Sequence, residues 1–87
     1  MNMSINKMEI LNKICYTELV YERINKKLNS KLSKSEIEKM LFDIITETLA
    51  IFFQRIGKNL YVTSREKNIK ITINSNTYRV ITVDIIK

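Results

Sequence analysis

The sequence predicts an α+β domain in which two N-terminal helices, or three if the first segment is broken, pack on a C-terminal three-stranded antiparallel β-meander. Three observations support this. Apolar residues in the first part of the chain recur at the spacing of a buried helix face. After the only glycine, Gly57, the spacing changes to the alternation of a half-buried strand. Short polar clusters rich in Asn, Ser and Lys then divide the alternating runs at hairpin intervals. At 87 residues the chain is one domain, residues 1–87, and its 45% of apolar residues suffices for a single core.

The first helical segment runs from about Asn6 to Asn29. Asn6 and Glu9 fit a capping box, with Asn in place of Ser or Thr. Ile10, Leu11, Ile14, Cys15, Leu19, Val20, Ile24 and Leu28 form its apolar face. Thr17-Glu18 offers a second N-cap, so the segment is either one long helix or two helices broken near Tyr16. The second segment opens with a full capping box in Ser33-Lys34-Ser35-Glu36. Its stripe runs from Ile37 through Met40, Leu41, Ile44, Ile45, Leu49 and Phe53 to Ile56. Thr46 and Thr48 are its weak points, and Gly57 suits the position past its end, where a left-handed backbone is needed.

Three strands follow: Leu60–Ser64, Ile69–Ile73 and Thr77–Ile85, with turns at Arg65–Asn68 and Asn74–Asn76. Ile69, Ile71 and Ile73 face one side, and Lys70 and Thr72 the other. In the last strand Ile81, Val83 and Ile85 share a face with Arg79, while Tyr78, Val80 and Thr82 share the opposite one. A strand apolar on both faces is expected to be central or to lie against a second chain, so a homodimer is expected.

The formal charge is +6, and it is unevenly spread. Residues 1–54 hold eight basic and seven acidic side chains, whereas residues 55–87 hold seven basic and two acidic ones, so the excess lies on the sheet half. An AT-rich genome would raise Lys without any partner, because Ile, Lys and Asn, encoded by AT-rich codons, supply 35 of the 87 residues, so compositional drift stands beside a functional basic surface. The candidate binding set is Arg65, Lys67, Lys70, Thr72, Asn74, Asn76, Tyr78 and Arg79. Arg and Lys suit phosphates, Asn and Thr suit backbone or base edges, and Tyr78 suits stacking on a base. The same residues also fit an ordinary solvated sheet face.

Catalysis has little to work with. The chain has no His, which removes the commonest general base and metal ligand and any Ser–His or Cys–His pair. A single cysteine, Cys15, excludes an internal disulfide and a zinc finger and fits a reducing cytoplasm. Its place on the apolar stripe predicts a buried structural thiol. Glu36, Glu38, Asp43 and Glu47 lie where a cap and a solvated helix face are expected, so an enzyme using these carboxylates or Asp84 is the weaker alternative. No cofactor and no metal are expected. The N-terminus lacks the apolar run of a secretory signal, and no stretch approaches the roughly 18 apolar residues of a membrane span. Lys26, Lys27, Lys31 and Lys34 are interleaved with Glu22, Glu36 and Glu38, which suits a solvated loop better than a lipid surface. A cytoplasmic protein that does not bind membranes is expected.

Three phrases carry a resemblance. They are Glu18-Leu19-Val20-Tyr21-Glu22-Arg23-Ile24-Asn25-Lys26-Lys27-Leu28, Gly57-Lys58-Asn59-Leu60-Tyr61-Val62-Thr63, and the run from Ile71 to Thr82. In order and spacing they resemble an uncharacterised family of short bacterial proteins, a domain of unknown function, over roughly residues 10 to 84. The resemblance implies relatives in AT-rich bacteria and their mobile elements, and through that a phage- or defence-related role. It brings no activity and no catalytic residues. The expected function is therefore non-enzymatic binding of a macromolecular partner, a protein or ribonucleoprotein complex, through the basic sheet surface. One form would be an anti-CRISPR-like inhibitor of a nucleic-acid-handling defence complex. Direct DNA or RNA binding is the alternative.

Overall fold

The computed structural model describes residues 5–86. Three helices, α1 (Lys7–Lys13), α2 (Glu18–Leu28) and α3 (Lys34–Glu47), precede a 3-10 turn at Ala50–Phe52 and four strands. The strands are β1 (Phe53–Ile56), β2 (Asn59–Ser64), β3 (Ile69–Asn74) and β4 (Val80–Ile85), paired in chain order and all antiparallel. The α+β class holds, with four strands in place of the expected three.

The break in the first segment comes from the chain being drawn out to the sheet. α1 starts at Asn6, whose Oδ1 accepts from the Glu9 N–H at 3.1 Å. At Ile14 the backbone becomes extended, and Cys15 makes a parallel bridge to Arg79. The Cys15 N–H donates to the Tyr78 carbonyl at 3.0 Å, and the Val80 N–H donates to the Cys15 carbonyl at 2.9 Å. Cys15 is therefore exposed rather than buried, because the helix that would have turned it inward stops before it. Its Sγ lies 3.6 Å from the Thr77 carbonyl. Thr17 occupies the N-cap of α2 but makes no side-chain capping bond. Asn29 closes α2 in the left-handed region that Asn tolerates.

The capping box of α3 is complete: Ser33 Oγ accepts from the Glu36 N–H at 3.1 Å, and Glu36 Oε1 accepts from the Ser33 N–H at 2.8 Å. That backbone bond holds the Glu36 carboxyl below its ordinary value. The helix does not reach Ile56. At Thr48 both the N–H and Oγ1 donate to the Ile44 carbonyl, at 3.0 and 2.6 Å, and a ψ of 131° turns the chain out. β-Branched Ile44, Ile45, Thr46 and Thr48 weaken the last turn. Residues 53–56 instead pair with β2. Phe53 reaches the core as part of a cross-strand row with Val62, Ile71 and Val83. Leu49 and Ile56, also on the expected stripe, are exposed. Gly57 is thus the first residue of the two-residue turn between Ile56 and Asn59, not a helix terminus. Its φ is +60° while Lys58 is not in the positive region, the pattern of a type II′ hairpin turn, which favours Gly at that place.

The helices supply Ile10, Ile24, Ile37, Leu41 and Ile45 to the core, against Leu60, Val62, Ile71, Ile73, Val80 and Val83 of the sheet. The last strand breaks the expected alternation. Ile73 faces Val80 and Thr72 faces Thr82, which leaves Ile81 over as a bulge. Val80 and Val83 consequently both reach the core, whereas alternation places them on opposite faces. β4 is an edge strand rather than a central one, and its edge is covered from within the chain. α2 packs beside it, Arg23 Nη1 donates to the Ile81 carbonyl at 3.0 Å, Lys27 pairs with Asp84 at 2.7 Å, and Cys15 bridges its start.

Candidate binding surface

The sheet distributes the eight sequence-predicted residues over two ends and a middle. Arg65 and Lys67 are exposed in the β2–β3 turn, where the Lys67 N–H donates to Ser64 Oγ at 3.2 Å. Asn74, Asn76, Tyr78 and Arg79 cluster at the opposite end, around the β3–β4 turn. Six-residue strands at about 3.3 Å per residue separate these ends by roughly 17 Å, so the set is not one contact patch.

In the middle, Lys70 is on the outer face as expected, opposite Thr63 and Asp84, with Nζ 5.5 Å from the Tyr61 ring centroid. Thr72 is also outward but only 6% exposed, walled in by its cross-strand neighbours Tyr61 and Thr82. It cannot offer its hydroxyl to a large ligand without those neighbours moving. Asn74 is occupied too: its Oδ1 accepts from the Asn76 and Thr77 N–H groups at 2.8 and 2.9 Å, which builds the turn. Tyr78 is half-buried against the core, with a left-handed φ of 60°. Lys13 Nζ lies 5.4 Å from its ring centroid. Burial, and then a hydrogen bond with Glu9, raise its hydroxyl above the ordinary tyrosine value. Three of the eight residues thus serve the fold first. Arg65, Lys67, Lys70, Asn76 and Arg79 keep side chains that are exposed or half-exposed.

The structure adds two cations that periodicity assigned elsewhere. Arg55 and Lys58 sit at the hairpin turn of β1 and β2, and the Ser75 N–H donates to the Lys58 carbonyl at 2.7 Å. That bond ties the β1–β2 turn to the β3–β4 turn. Lys58 thereby joins Asn76 and Arg79 at one end of the sheet, and the positive field of Arg55 reaches the Tyr78 hydroxyl from the same region. Among the described residues, Arg55, Lys58 and Arg79 form no ion pair, while Glu9 beside them is bound by Lys13 at 2.9 Å. The sequence signal for this cluster was Gly57-Lys58, a Gly-first two-residue turn between two strand-length runs.

Four of the five candidate carboxylates have partners within the fold, and Glu47 is exposed at the end of α3. Glu36 caps α3, Asp43 pairs with Lys39, Asp84 pairs with Lys27, and Glu38 accepts from the Tyr21 hydroxyl. Tyr21 stacks on Tyr16 with ring centroids 5.5 Å apart. Burial first, and then the Glu38 bond, push Tyr21 up to about 12. Among the described residues no group of three or more Cys, Asp or Glu could hold a metal ion. None of the described helices is long and apolar enough to cross a membrane.

A family model described as "Protein of unknown function (DUF3781)" matches residues 8–84. No curated protein and no solved structure matches the chain.

Proposed function

From the premise that the chain belongs to the DUF3781 family, whose function is unknown, we propose that it acts by binding, holding an anionic macromolecule at the turn end of its sheet. The partner class is nucleic acid, either free or within a ribonucleoprotein complex. Inhibition of a nucleic-acid-handling defence complex is one biological form such binding would take. The observation that carries this is the joining of the two turns by the Ser75–Lys58 bond, which gathers Arg55, Lys58 and Arg79 without ion-pair partners among the described residues. Lys58 and Arg79 beside short turns, and Arg55 near the end of β1, meet phosphates with little side-chain reorganisation beyond their own rotamers. Asn76, exposed at the tip, adds a donor and an acceptor for sugar or base edges.

The test is anisotropy titration of labelled single-stranded and duplex oligonucleotides across the range from about 50 to 200 mM salt. With about three phosphates neutralised, log K should fall against log salt with a slope of roughly −2 to −3. Lys58→Glu/Arg79→Glu should abolish binding, whereas Arg65→Ala/Lys67→Ala at the far end should leave most of it. No binding at low salt, or equal losses in the two double variants, would remove this surface as the site.

A further inference from the structure

We infer that the outer edge of β1 is an interface between two copies of this chain, paired antiparallel about Gln54. It shares Arg55 and Lys58 with the proposed anion site but rests on the open strand edge alone. A four-stranded sheet has two edges, and the described residues cover only that of β4. In a two-residue hairpin the pair flanking the turn, here Ile56 and Asn59, exchanges ladder hydrogen bonds. Ile56 and Gln54 therefore direct their peptide groups at β2, and Phe53 and Arg55 direct theirs outward. The Phe53 N–H is met by the Ala50 carbonyl, which leaves the Phe53 carbonyl and both Arg55 groups for an outside strand. Edges are normally guarded by charge, Pro or a covering element. Here Arg55 is the one charge on β1, and the flank is apolar: Leu49 is 64% and Ile51 81% exposed, with Ile56 beyond them.

The geometry of β1 suits its own copy. A two-fold axis perpendicular to the sheet keeps every residue on its own face, so only residues of the same face can be opposed. Centring on Arg55 sets two guanidinium groups against each other, which is unfavourable. Centring on Gln54 places Gln54 opposite its counterpart and Arg55 opposite Phe53. The Arg55 N–H can then donate to the Phe53 carbonyl of the copy, and the axis repeats that bond. Antiparallel pairing brings the turn end of one copy, with Ile56 and Lys58, to the other end of β1 in its mate. There Glu47, Leu49, Phe52 and Glu66 line one groove together with Arg65. Exposed apolar groups meet exposed apolar groups, and a lysine meets a groove holding two carboxylates and one arginine.

Two measurements test this. Opposed residues at a pair without ladder bonds have Cα atoms about 4.5 Å apart, within disulfide reach. A Cys15→Ser/Gln54→Cys variant should therefore oxidise to a covalent dimer at least about tenfold faster than a Cys15→Ser/Thr82→Cys control. In sedimentation from micromolar to hundreds of micromolar, the wild type should pass from 10.3 kDa to twice that mass. Ile51→Glu should raise the dissociation constant about tenfold or more, as loss of an interface anchor does, with circular dichroism unchanged. A monomer at every concentration overturns the inference, and so does cross-linking no faster than the control. If Ile51→Glu unfolds the chain, the cross-linking comparison decides alone.

Discussion

Replacing Gly57 by alanine isolates one backbone angle. Gly57 sits at φ +60°, and a Cβ built there meets nothing within 4 Å. The cost is therefore local strain and not a clash. A non-glycine residue held in such a region costs on the order of 1–3 kcal/mol. The loss of glycine's freedom in the unfolded chain offsets about 0.4–1 kcal/mol of that. The expected net destabilisation is about 1–2 kcal/mol, equivalent to a fall in Tm of about 10 °C for a domain of this size. A D-alanine in place of Gly57 adopts positive φ without strain and should stabilise by about 0.4–1 kcal/mol. Urea unfolding followed by far-UV circular dichroism reads both, with midpoints shifting at constant m. A neutral or stabilising L-alanine, or a D-alanine as damaging as the L form, would refute the hairpin geometry and with it the placement of Arg55 and Lys58.

Two further outcomes follow from the hydrogen bonds. Asn74→Ala removes the acceptor of two turn N–H groups and should cost about 1–2 kcal/mol, while its folded fraction keeps the wild-type salt slope for oligonucleotides; a changed slope at full stability would return Asn74 to the binding set. Tyr21 titrates near 10 when unfolded and about 12 when folded, so the folded state holds its proton more tightly. Its contribution to stability is intact below pH 10 and is lost as pH climbs from 10 through 12. Tyr21→Phe should flatten that alkaline fall, leaving the part due to Tyr16 and Tyr78, which are also raised. Parallel pH profiles for the two proteins in denaturant titrations would count against it.

Local chemistry was enough to write much of this fold. The Ser33–Glu36 box, the Asn6 cap, the polar turn after Ser64 and the isoleucine alternation of β3 each depend on residues within a few positions of one another. Such signals survive without knowledge of the rest of the chain. The choice between helix and strand at 53–56 was different, because Phe53 and Ile56 fit both periods. A neighbouring strand with its ladder unmet on one side decided it, and that moved Arg55 and Lys58 onto a sheet end.

The candidate surface divides in the same way. The sequence alone determined that the sheet half carries the positive excess and that Lys70 and Thr72 point away from the core. Only tertiary structure decided that Thr72 is walled in, that Asn74 and Tyr78 are committed to the turn and the core, and that a bulge at Ile81 carries both Val80 and Val83 inward. The physical reason is range. Charge sign and side-chain alternation are properties of a segment, whereas occupancy of a hydrogen-bonding group depends on which distant backbone arrives beside it, as Cys15 does at Arg79 and Ser75 at Lys58.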